Sequence, residues 1–179
     1  MRRFRGVSQA VAHDLLLSTF PMPHAFTGSL SAPPGRFAIV VARYNETITT
    51  RLLNGAVETL LAHGVKDDGI DVAWVPGSFE VPLVAERMAS SRKYLGVLCL
   101  GAVIRGETTH DQHINRAVSL QLCETGVRYG VPVLFGILTC ETLEQAIHRS
   151  GGNVGNKGVE CAETALQMAN LLRQIDGLK

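Results

Sequence analysis

From residue 36 onward the chain alternates short, wholly apolar runs with longer amphipathic stretches. Phe37-Ala38-Ile39-Val40-Val41-Ala42 carries no polar position, which predicts a strand covered on both faces. Residues 48–63 place Ile48, Leu52, Leu53, Ala56, Val57, Leu60 and Leu61 along one side at helical spacing, and Gly64 stands where a helix closes. A second strand is predicted over 70–75. Pro76-Gly77-Ser78 then turns into a helix over 79–90, with Ser78 as its N-cap. A third strand is expected over 94–100, a helix over 112–129 that stops before Gly130, and a fourth strand over 133–138. Thr142-Leu143-Glu144-Gln145 fits a capping box and so opens a short helix. The last helix, 156–175, turns Val159, Ala162, Leu166, Ala169 and Leu172 inward.

Strand–helix alternation of this kind predicts an α/β fold. We expect a three-layer αβα sandwich, in which a parallel sheet with right-handed crossovers carries helices on both faces. Every strand is followed by a polar or glycine-bearing segment. These are Arg43-Tyr44-Asn45-Glu46-Thr47, Gly77-Ser78-Phe79-Glu80, the stretch from Gly101 to His110, and Thr139-Cys140-Glu141. In a parallel sheet all of them fall at the carboxyl edge, where ligands of open α/β sheets bind. The stretch ending in Gly101-Ala102-Val103-Ile104-Arg105-Gly106-Glu107-Thr108-Thr109-His110 is the richest. Glycine allows close backbone approach, arginine and threonine suit an anion, and histidine moves protons near neutral pH. Singly, each residue has an ordinary reading: His110 as a surface or capping histidine, Tyr44 as packing at a strand end, Arg149 as a helix C-terminal cation, Lys157 as a solvated lysine. Convergence on one edge favours a shared site.

The length of 179 residues suits one domain. Residues 1–35 are set apart by Arg2, Arg3 and Arg5 and by Pro21, Pro23, Pro33 and Pro34, and are expected to be a poorly ordered extension of a domain spanning 36–179. His13 and Asp14 interrupt the only candidate core of a secretory signal there. A net charge of +1 offers no field for nucleic acid or an anionic membrane, and no apolar run approaches the ~18 residues of a membrane span. Cys99, Cys123, Cys140 and Cys161 are scattered without metal-site spacing and read as reduced thiols of a cytoplasmic protein. Neither G-x-x-x-x-G-K-[ST] nor G-x-G-x-x-G occurs where nucleotide binding would need it. A flavodoxin-like module with a phosphate near Thr47, Thr49 and Thr50 is a competitor, but Glu46 and Tyr44 oppose it and it leaves His110 without a task.

Five blocks in order, Arg43-Tyr44-Asn45, Val75-Pro76-Gly77-Ser78-Phe79-Glu80, Gly101 to His110, Val131-Pro132-Val133-Leu134-Phe135-Gly136 and Gly155-Asn156-Lys157-Gly158, resemble the lumazine synthase family. The resemblance implies a flavodoxin-like sheet of strand order 2-1-3-4. It also implies a transferase that condenses 5-amino-6-(D-ribitylamino)uracil with 3,4-dihydroxy-2-butanone 4-phosphate, without metal or cofactor. On it, Tyr44 would stack on the pyrimidine, where the family more often has phenylalanine or tryptophan. Ser78, Phe79 and Glu80 would hold the ribityl chain and ring, and Ala102, Val103 and Ile104 would meet the pyrimidine edge. Glu107 and Thr108 would form the butanone phosphate segment, with Arg149 as the phosphate's cation and Lys157 nearby. His110 matches the proton-transfer histidine. Phe135, Arg149 and Lys157 would come from a neighbouring subunit of a homopentamer, which in many members builds a sixty-subunit icosahedral shell. Riboflavin synthase is the implied protein partner. After His110 the family usually has an aromatic residue and then an acid. Here Asp111 and Gln112 follow, which makes Asp111 the candidate to orient His110 from a shifted position. A non-catalytic flavin- or pterin-binding module and a shell protein without activity are the alternatives. The joint presence of Glu107, Thr108, His110, Arg149 and Lys157 favours the enzyme over the inactive shell.

Overall fold

The computed structural model describes residues 23–178, so residues 1–22 of the expected extension lie outside the described residues. The sheet is built from β1 (Arg36–Ala42), β2 (Ile70–Val75), β3 (Tyr94–Ile104) and β4 (Val133–Cys140), in the order β2-β1-β3-β4 with every pair parallel. Between and after them run α1 (Glu46–Ala62), α2 (Val81–Ser90), α3 (His110–Tyr129), α4 (Leu143–His148) and α5 (Lys157–Asp176).

Strand periodicity sorts the core into two layers. Alternate residues of a strand face opposite sides. Phe37, Ile39 and Val41 of β1 therefore pack with Leu52, Ala56 and Leu60 of α1 and with Ala162, Ala165, Leu166 and Ala169 of α5. Ala38, Val40 and Ala42 pack the other way, with Val81, Ala85 and Ala89 of α2 and Val118 and Leu122 of α3. That is the three-layer sandwich of order 2-1-3-4.

Several local expectations are corrected. The third strand does not end at Leu100. It continues through Ile104, with Gly101 opposite Ile137 and Ile104 opposite Cys140. Ser78 is not an N-cap. A single 3-10 turn, Ser78–Glu80, precedes α2, and neither carries a side-chain cap. Ser78 is instead buried against β3, where a Cβ on Gly101 would stand 2.6 Å from its Oγ. α3 begins two residues early, which makes His110 its first residue. The box at Thr142 is half formed. Thr142 Oγ1 accepts from the Gln145 amide at 3.2 Å, while Gln145 Oε1 takes the amide of Glu141, one residue before the cap. A small antiparallel pair, β5 (Ser150–Gly152) with β6 (Gly155–Asn156), leads into α5 and was not expected. Ahead of β1 the chain lies on α5, with Asn170 Nδ2 donating to the carbonyls of Ser29 and Ser31 and Gln174 Nε2 to that of Thr27.

Candidate active site

The segment leaving β1 is tied to the end of β2, where the Arg43 amide donates to the Val75 carbonyl at 2.8 Å and the Tyr44 amide to that of Pro76 at 3.0 Å. Arg43 lies over the Trp74 ring, 5.0 Å from its centroid. Asn45 then turns left-handed, at φ 62°, and its Nδ2 donates to the Ala102 carbonyl at 2.9 Å. β1 ends at Ala42, and its pairing with β3 reaches only Val41 opposite Leu100. The Asn45 amide thus supplies a donor to the part of β3 that outruns its neighbour. With its backbone held this way, the Tyr44 ring points outward, 72% exposed, so it is not strand-end packing.

The 3-10 turn after β2 brings Phe79, 60% exposed, to the same place. The long β3 contributes Ala102, Val103 and Ile104, and the start of α3 contributes His110. Together with Ser78, Glu80, Gly77 and Ile114 they line one open cleft of about 300 Å³ at the carboxyl edge. Its volume is at the lower end of small-molecule sites. It holds two aromatic rings, backbone polar groups, a carboxylate and an imidazole, the equipment to stack a planar heterocycle and move protons beside it. His110 Nδ1 lies 2.7 Å from Thr108 Oγ1.

A family model for 6,7-dimethyl-8-ribityllumazine synthase matches residues 34–173. The chain belongs to that family. The match takes in all four strands of the sheet and every residue lining the cleft.

Eight of the residues singled out in the sequence thus meet in one place: Tyr44, Ser78, Phe79, Glu80, Ala102, Val103, Ile104 and His110. Thr108 adjoins them through His110, and Glu107 is exposed on the same connection. Phe135, Arg149 and Lys157 do not line the cleft of their own chain. Phe135 sits midway along the edge strand β4, opposite Cys99 and 37% exposed. Arg149 is the C-cap residue of α4, and Lys157 opens α5. Both reach Glu160, Lys157 Nζ at 2.8 Å and Arg149 Nη2 at 3.7 Å. Arg149 is close enough to Cys140, at the end of β4, that its charge opposes the upward push of burial on that thiol.

Asp111 does not orient His110. The ring's partner is Thr108, and Asp111 Oδ1 is buried with no hydrogen-bond partner, as is Asn115 Oδ1 one turn along α3. Sequence reasoning also missed Ile114 in the cleft wall. Its signal was present, since a residue four positions after His110 shares its helix face. Among the described residues no group of three or more His, Cys, Asp or Glu side chains could hold a metal ion, and no helix is long and apolar enough to cross a membrane.

Proposed function

We propose that the chain is an active 6,7-dimethyl-8-ribityllumazine synthase of the riboflavin pathway. The reaction joins 5-amino-6-(D-ribitylamino)uracil and 3,4-dihydroxy-2-butanone 4-phosphate and releases phosphate and water. The supporting observation is the cleft that gathers Tyr44, Phe79 and His110 on family-matched sequence. Tyr44 stacks on the pyrimidine, worth ~1 kcal/mol beyond burial. Ser78, Phe79 and Glu80 hold the ribityl side, and Ala102 to Ile104 meet the pyrimidine edge.

The substrate amine adds to the ketone and loses water to give an imine. Phosphate then leaves as the neighbouring carbon gives up a proton, the resulting enol tautomerises to a ketone, and the ribityl-bearing amine adds to that ketone and loses a second water as the ring closes. His110 gives and takes the protons of these steps, a contribution of roughly 10² to 10⁴ in rate. Holding both reactants together supplies much of the rest. The condensation is redox-neutral and calls for no cofactor. Arg149 and Lys157 hold the phosphate, and with Phe135 they reach the cleft from an adjoining protomer of a homopentamer. The exposed Leu83, Leu120, Val127 and Phe135 are apolar surface suited to such contacts. A closed icosahedral shell, binding to riboflavin synthase and a cytoplasmic setting complete the reading.

The test is to mix the protein with both substrates and follow lumazine fluorescence, with light scattering to count subunits. His110→Ala slows turnover by roughly 10² to 10⁴ without abolishing it. Arg149→Ala raises KM for the butanone phosphate. Binding of flavin or lumazine without turnover would support the non-catalytic alternative and defeat the proposal.

A further inference from the structure

The geometry points to Gly101 as a positioning residue for the ribityl side of the cleft, an inference that rests on the proposed reading of that cleft. Alternate residues of a strand face opposite layers. Cys99 and Val103 of β3 pack on the side of α2 and α3, so Gly101 between them looks the same way. A Cβ there would stand 2.6 Å from Ser78 Oγ and 2.9 Å from Ile137 Cδ1. The two contacts differ in kind. Ile137 Cδ1 ends a longer, more flexible side chain and can give. Ser78 is 7% exposed, and its short side chain has little space to turn into. It is also the first residue of the 3-10 turn Ser78–Glu80, so whatever moves Ser78 moves the turn.

That turn carries Phe79 and Glu80, which line the cleft beside Ser78 and in the proposed reaction hold the ribityl chain and ring. The strand is the fixed member of the contact. β3 is paired on both sides, with β1 and β4, and Gly101 lies opposite Ile137 in that ladder. The turn is a single 3-10 turn laid against it. The depth at which the turn lies is therefore set by the atom that Gly101 lacks. Ordinary contact begins near 3.4 Å, so a methyl group at position 101 would find Ser78 Oγ too close by about 0.8 Å. The turn must move outward by a similar amount, and misplacement on the order of 1 Å costs up to about 10²-fold. His110 opens α3 and does not ride on the turn, so the proton-transfer side of the cleft keeps its place.

The two substrates report on the two sides separately. In the full-length protein, Gly101→Ala is expected to raise KM for 5-amino-6-(D-ribitylamino)uracil about tenfold, with KM for the butanone phosphate within about twofold of its starting value. Adding Ser78→Ala takes Oγ out of the contact, and should bring the raised KM down again by about fivefold or more. A double variant no better than Gly101→Ala overturns the inference, because the added methyl group would then not act through Ser78. An equal rise in both KM values overturns it too, as the mark of general damage to the fold. If Gly101→Ala does not fold, Ser78→Thr takes its place, keeping the hydroxyl while crowding the same contact from the other side. A raised KM for the uracil substrate alone then supports the positioning role, and an unchanged one overturns it. An active parent indifferent to Gly101→Ala defeats the positioning role and leaves the functional reading intact. Lack of turnover in the unsubstituted protein sinks the functional reading, and the positioning role with it.

Discussion

Asn45 joins fold to site in a way that a short substitution series can dissect. Two separate features make it asparagine. Its backbone is left-handed at φ 62°, a region that costs most L-residues roughly 1–2 kcal/mol and asparagine less. Its side chain also donates at 2.9 Å to the carbonyl of Ala102, a residue only 1% exposed. Removing a donor from a buried acceptor costs about 1–3 kcal/mol, toward the lower end where water can enter from the cleft. Asn45→Ala loses both features and should destabilise by about 2–4 kcal/mol. Asn45→Gly loses the hydrogen bond but tolerates the backbone, so it should be about 1 kcal/mol more stable than the alanine variant. Asn45→Asp tolerates the backbone but turns a carboxylate oxygen toward the Ala102 carbonyl, and should fare no better than alanine. Urea unfolding at one protein concentration gives the ranking, provided the slope against denaturant is unchanged. An alanine variant within 0.5 kcal/mol of the parent, an estimate of the usual surface effect, would refute the account. So would glycine and alanine variants of equal stability, because the left-handed backbone would then carry no penalty.

Other expectations are as direct. A Cβ on Gly158 would run into the Leu52 carbonyl where α5 crosses α1, so Gly158→Ala should cost about 1–3 kcal/mol, read from the urea midpoint. Burial pushes the Cys161 thiol up to about 11 and raises that of Cys99 further, whereas Cys123 is exposed. A thiol reagent at pH 8 should therefore modify Cys123 in the native protein and reach Cys99 and Cys161 only after unfolding, as peptide mapping would report. The same shift has a sign. Above the ordinary thiol range of about 8.5 the unfolded chain ionises while the folded one does not. The stability linked to Cys161 is therefore full below that range and falls as pH rises toward 11, so the advantage of the parent over Cys161→Ala should shrink between pH 8 and pH 10.

What the sequence revealed, and what it hid, divides by whether the cause is local. Five apolar residues between Phe37 and Val41 can only be a strand buried on both faces, and once four such strands run parallel their exits must share an edge. Tyr44, Phe79 and His110 were therefore legible as neighbours before any coordinate was known. Gly101 was misread because glycine after an apolar run usually opens a loop. Here it stays in the strand, and the space beside it is taken by Ser78, more than twenty positions away. Ser78 was misread for the matching reason, since its sequence neighbours describe a helix cap and its actual partner is a remote strand. The block Gly155-Asn156-Lys157-Gly158 was one of the five marks of the family resemblance, with Lys157 its one candidate site residue. Much of it is packing: Asn156 Oδ1 caps α5 at the Gly158 amide while its Nδ2 donates to the Arg51 carbonyl, and Gly55 and Gly158 let α1 and α5 close around it. Lys157 alone in that block keeps a charged head for other use, and it is held meanwhile by Glu160, as Arg149 is. Periodicity and strand topology give no reason to place that pair in a cleft; only the family resemblance does. Hydrophobic periodicity carries no information about contacts between copies of a chain. The aromatic and imidazole groups that strand topology gathers do line the chain's own cleft, while Arg149 and Lys157, which only the family resemblance pointed to, lie outside it.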